Sequence, residues 1–172
     1  YNIFRFDDTE TATGSWGEMA FSGAKNNGVA ALNNSCNGEV MILPAIRNKD
    51  GKKLYLALQS LPLGSGRSNV GIYYKELEDY NDFLTPKHFA KDWDGRYRSS
   101  ITGSAYSTMT LQADNALAFI YEEDTYSTSG GGYTIVYKSY TIEKITDGKY
   151  SLDTNENRAL YLYKNVILPL KR

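Results

Sequence analysis

A chain of 172 residues with a formal net charge of -1 has room for one domain with a sizeable core. It carries no electrostatic case for nucleic acid or an anionic membrane surface. Cys36 is the only cysteine and His88 the only histidine, which excludes an intrachain disulfide and the usual nitrogen-and-sulfur zinc site. No run approaches the roughly 18 consecutive apolar residues of a membrane-spanning helix.

Tyrosine accounts for 15 residues, a composition that suits pleated, half-buried strand surfaces. The chain opens on Tyr1, inside an apparent strand and without a charged-then-apolar leader. Such a start is expected of a piece of a longer protein. Asn2-Ile3-Phe4-Arg5-Phe6 alternates with a period of two, as do Glu39 to Leu43, Lys53 to Leu58 and Asn69 to Tyr74. The same rhythm returns in Ser107 to Leu111, Ala116 to Tyr121 and Tyr133 to Tyr137. Each run predicts a short strand. Asn27-Gly28, Asn37-Gly38, Asp50-Gly51, Asp114-Asn115 and Asp147-Gly148 stand between them, and these residue types tolerate the positive φ of tight hairpins. Strand, turn and strand in repetition predict an all-β fold of antiparallel meanders, as in sandwiches, barrels or propeller blades.

One stretch breaks the rhythm. Glu76 to Ser100 is polar and irregular and reads as a loop insertion. Within it Thr85 and Pro86 predict a short helix, Thr85 as N-cap and Pro86 at the first helical position. Ser127 to Gly132 reads as a flexible loop tip. Ala159 to Tyr163 is a last candidate strand in a tail that ends on Lys171-Arg172. His88 lies in the polar insertion, where a surface role outweighs a catalytic one. The glycines at 130–132 lack the Lys and Ser or Thr of a phosphate-binding loop.

Two segments carry chemistry. In Gly64-Ser65-Gly66-Arg67-Ser68-Asn69 a glycine-rich turn places an Arg at the mouth of a strand. A planar guanidinium fork suits bidentate capture of a carboxylate, and a solvated loop Arg is the bland alternative. In Ala105-Tyr106-Ser107 a Tyr begins a strand; after a hairpin, Ile120-Tyr121-Glu122 closes the next. Tyr106 and Glu122 then share one end of a hairpin, and a Tyr packed in the core is the bland alternative.

In this order the segments resemble the bacterial-type sialidases, or neuraminidases, of glycoside hydrolase family 33: Arg67 with Asn69, then Ala105-Tyr106-Ser107, then Ile120-Tyr121-Glu122. Ser35 to Val40 is similar to the family's cysteine-containing strand, and Tyr133 to Ile145 to its closing strand. The resemblance covers residues 1–150 and leaves 151–172 as a tail. It implies the C-terminal part of a six-bladed β-propeller of antiparallel meander blades, with the rest of the propeller upstream. There are departures. The family's Asp-box turn survives only as Gly14-Ser15-Trp16. The acid/base Asp, the Glu that pairs with the Tyr, and two of three substrate-binding Args have no matching positions here.

The resemblance further implies an exo-α-sialidase in the full-length parent, acting on sialylated glycans through a Tyr nucleophile. Tyr106 is then the catalytic nucleophile, Arg67 a substrate-carboxylate ligand, and Glu122 the partner of a second Arg. No metal or organic cofactor is required, a secreted, periplasmic or cell-surface location is implied, and the fragment alone is expected to be inactive. The alternative is a sialidase-like propeller without the acid Asp, which binds glycans and hydrolyses nothing.

Overall fold

The computed structural model describes residues 3–17, 36–78, 85–124 and 131–155. The predicted turn at Asn27-Gly28, the loop tip from Ser127 to Gly130 and the candidate strand from Ala159 to Tyr163 lie outside the described residues. Two strands, β1 (Phe4–Asp8) and β2 (Thr13–Trp16), form a small hairpin. Gly14-Ser15-Trp16 therefore belongs to a strand and not to a turn.

The main sheet is built from β3 (Val40–Arg47), β4 (Lys52–Pro62), β5 (Val70–Leu77) and β6 (Gly95–Arg98), an antiparallel meander. A fifth strand, β10 (Tyr150–Leu152), pairs antiparallel with β3 at the other edge. The division at residue 150 thus cuts through a strand of the main sheet. A second, three-stranded meander comprises β7 (Ser104–Leu111), β8 (Leu117–Asp124) and β9 (Tyr133–Tyr140). The chain is all-β and antiparallel, an arrangement compatible with propeller blades.

The turn chemistry explains most of the connections. Gly51 and Asn115 adopt positive φ in the β3–β4 and β7–β8 hairpins, and Asp147 and Gly148 do so before β10. Asn37-Gly38 is different: it forms no turn and neither residue takes positive φ, and the segment leads into β3. A Cβ on Gly38 would lie 1.7 Å from the carbonyl oxygen of Ser60, so the glycine serves close approach to β4.

The polar insertion is shorter than its sequence implies. β5 runs on to Leu77, and Gly95-Arg96-Tyr97-Arg98 forms the edge strand β6. One exposed face and a row of arginines hide its strand pattern. Between them α1 (Pro86–Ala90) starts as expected, with the Thr85 side chain accepting from the His88 amide. The run from Tyr133 to Ile145 is not one strand: β9 ends at Tyr140 and α2 (Ile142–Ile145) follows, with Thr141 accepting from the Lys144 amide. Ile142 and Ile145, three apart on that turn, both enter the core. Neither described helix is long and apolar enough to cross a membrane.

One core cluster joins the two larger sheets, and a second, of Tyr55, Ala57, Leu77 and Phe89, lies under α1. Leu54, Leu56 and Leu58 of β4 and Val70 and Ile72 of β5 pack with Met109 of β7 and Leu117, Phe119 and Tyr121 of β8. The start of β7 is thereby held beside the end of β4.

Candidate functional site

Arg67 sits in the loop between β4 and β5. Pro62 ends β4, Gly66 takes φ 65° and Asn69 takes φ 56°. The loop closes on itself through Leu63 N to Asn69 O at 3.1 Å and Ser68 Oγ to Ser65 O at 3.1 Å. It is then fastened to the strand that carries Tyr106. Ser104 N donates to Arg67 O at 3.0 Å, Asn69 N to Thr102 O at 2.9 Å, and Val70 N to Ser104 Oγ at 2.8 Å. Ser68 and Gly103 form an antiparallel bridge. Asp124 N, from the end of β8, donates to Gly103 O at 2.8 Å, which ties in the third segment.

Tyr106 is set by a β-bulge. Ser104 pairs with Glu123 and Ser107 with Tyr121, so Ala105 and Tyr106 together oppose Glu122 alone. The bulge lets Ala105 bury completely while Tyr106 turns outward, 39% exposed. Beyond it the alternation is regular. Tyr106, Thr108 and Thr110 are exposed, and Met109 and Leu111 face the core.

The structure brings Arg67 and Tyr106 into direct contact. Arg67 Nη2 donates to the Tyr106 phenol oxygen at 3.1 Å. The guanidinium carbon also lies 5.0 Å from the centre of the Tyr106 ring, within cation–π range. Tyr106 is the main influence that pushes the Arg67 pKa up, followed by a hydrogen bond that Arg67 donates to Tyr133 at the start of β9. The phenol oxygen acts as acceptor toward Arg67, and a phenol carries one O–H donor besides.

Glu122 lies across the bulge from Tyr106. Cys36 connects it electrostatically to Arg67: burial raises the Cys36 pKa, Arg67 lowers it and Glu122 raises it. The segment entering β3 therefore passes beside the same cluster.

Glu39 is a residue that spacing alone did not single out. Its carboxylate oxygen Oε2 accepts from the Thr108 hydroxyl and from the Met109 amide at 2.9 Å. Its contacts span 69 and 70 residues of chain, and no local pattern announces them. His88 stays with α1, its Nδ1 3.0 Å from Thr85 Oγ1. No cluster of three or more potential metal ligands occurs among the described residues.

A cavity of about 540 Å³ opens elsewhere, beside Arg47, Glu76, Lys149 and Tyr150. Within it Arg47 meets Glu76 at 2.8 Å, and Tyr150 donates to Glu76 at 2.5 Å. No family model matches the chain, and no curated protein matches it.

Proposed function

We propose that this chain is the part of a sialidase propeller that carries the nucleophile. The observation that supports the reading most is the pairing of Arg67 with the exposed phenol of Tyr106 at 3.1 Å. Sialic acid bears a carboxylate on its anomeric carbon. A cation beside the nucleophile recruits that carboxylate and draws the anomeric carbon to the phenol. A carboxylate nucleophile would be repelled by the substrate's own charge, whereas a neutral Tyr is not.

In the proposed step the Tyr106 oxygen bonds to the anomeric carbon and the glycosidic C–O bond breaks. The phenol proton passes to a Glu, and an Asp protonates the leaving oxygen; by the resemblance, both come from outside the matched stretch. Water then releases the sugar from Tyr106. Glu122, across the bulge, orients a second Arg from the same outside region. The mechanism needs no metal or organic cofactor.

The test is turnover of a sialic acid glycoside by the full-length parent and its Tyr106→Phe variant. Loss of turnover in the variant, with sialic acid binding retained by calorimetry, is the expected result. A parent that binds sialosides without cleaving them would establish the glycan-binding alternative instead. A variant as active as the parent would remove Tyr106 from the mechanism.

A further inference from the structure

Tyr106 stands on a bulged strand at the edge of its sheet, and such a strand has no ladder partner to fix it on its open side. On the N-terminal side of the bulge, Ser104 is tied to the Arg67 loop by Ser104 N to Arg67 O at 3.0 Å and by Val70 N to Ser104 Oγ at 2.8 Å. On the C-terminal side the open edge of β7 is held, among the described residues, by the Glu39 side chain. The Thr108 hydroxyl and the Met109 amide both donate to its Oε2.

Glu39 itself cannot drift. Its amide donates to Ser60 Oγ at 2.9 Å, and its carbonyl accepts from Ser60 N at 2.9 Å and Gln59 Nε2 at 3.2 Å. Gly38 presses the preceding backbone onto the Ser60 carbonyl, where a Cβ would lie at 1.7 Å. The backbone of Glu39 thus belongs to β4 and its carboxylate to β7.

We propose that Glu39 is a positioning residue: it clamps the bulged strand to β4 and so sets where the Tyr106 phenol meets Arg67. Thr108 follows Tyr106 by two residues and shares its face, so a shift of Thr108 carries the phenol with it. The clamp works by accepting two hydrogen bonds and not by charge at the reacting atoms. The catalytic consequence rests on Tyr106 being the nucleophile; the structural consequence does not.

Two readouts separate the two. In fluorotyrosine-labelled full-length protein, with the Tyr106 signal assigned by Tyr106→Phe, Glu39→Ala should move the Tyr106 fluorine resonance. Glu39→Gln, whose carbonyl oxygen can accept both bonds, should restore it. In sialoside turnover Glu39→Ala should lower kcat about 10- to 100-fold, as misplacement of a reacting group does. KM should change less because Arg67 remains, and Glu39→Gln should recover most of kcat. Thr108→Val, with Thr108→Ser as its rescue, removes one bond of the clamp and tests the same point should Glu39→Ala not fold.

An unmoved Tyr106 resonance in both Glu39→Ala and Thr108→Val would overturn the proposal. So would a Gln variant as impaired as the Ala variant, since charge would then be the requirement. A parent inert toward sialosides, with the resonance shift intact, would retire the catalytic reading and leave the clamp standing.

Discussion

Arg67 holds one tyrosine in two ways, through a hydrogen bond to the oxygen and through the face of the ring. Both contacts depend on a loop that Gly66 and Asn69 bend through positive φ, and this much was visible in the Gly-Ser-Gly-Arg-Ser-Asn run. The strand carrying Tyr106 was equally visible, though β7 begins at Ser104, two residues before the Tyr. The bulge was not, because two residues opposing one is a relation between strands that a single period-two run does not record. Glu39 was hidden for the same reason: its partners are set by the packing of β7 against β4. If Arg67 receives a substrate carboxylate, Arg67→Ala removes a charge-assisted hydrogen bond worth about 1.5–3 kcal/mol. The expected outcome is a raised KM or weakened sialic acid binding by titration calorimetry, by about 10- to 100-fold. An unchanged affinity would show that the guanidinium serves Tyr106 alone. Arg67→Lys should recover only part of the loss, since an ammonium lacks the planar fork.

Among the elements, those bounded by clear turn chemistry were legible. Asp50-Gly51 and Asp114-Asn115 turn where expected, and Thr85 with Pro86 starts α1. Asn37-Gly38 misled because glycine has two uses, positive φ and close approach, and a sequence does not distinguish them. The edge strand β6 misled because arginines on its exposed positions resemble a loop. Ion pairing between elements adds a further layer. Arg47 at the end of β3 meets Asp50 in the following turn at 2.8 Å, Glu76 on β5 at 2.8 Å and Glu78 at 2.7 Å. The hydrogen bond from Arg47 holds the Asp50 carboxyl at about 2, below its usual 3.8. The hydrogen bond from Lys52 first, with that from Arg47 behind it, holds the Glu78 carboxyl at about 2, below its usual 4.5. A folded-state pKa below the unfolded one gives stability that is complete above the unfolded value and is lost as pH falls through the folded one. Thermal stability should therefore decline between about pH 4.5 and 2. Arg47→Met should flatten that decline in melts across the range, and added salt should weaken it, since these carboxylates are exposed. A variant with the same acid profile as the parent would mean the network contributes nothing.

At the scale of the molecule, the three-stranded sheet has one face in the core and one in solvent, and the outer face carries several exposed apolar side chains among its polar ones. Ile120 on β8 pairs with Tyr137 on β9, Glu122 pairs with Ile135, and directly opposed residues share a face. Ile135 is 65% exposed and Tyr137 54%, with Ile120, Tyr133 and Tyr106 beside them. Scattered exposed apolar residues need no explanation, but a contiguous set on one sheet face does. Propeller blades bury such faces by stacking on their neighbours, and a unit of a repeat architecture buries little alone. The proposed propeller predicts that an adjacent blade covers this face in the parent, next to the Arg67–Tyr106 pair. Residues 1–172 made alone should then cover it with second copies. Sedimentation velocity should show concentration-dependent association. Ile135→Lys with Tyr137→Lys, which place charges on the exposed face and leave the core contacts of β9 at Val136 and Tyr140 untouched, should shift the chain toward monomer. In the parent the same pair should do the opposite and lower the melting temperature, because there the face is buried and each charge would lose its water. A chain that is monomeric at all concentrations, and a parent indifferent to the two lysines, would together show that no blade packs on this face.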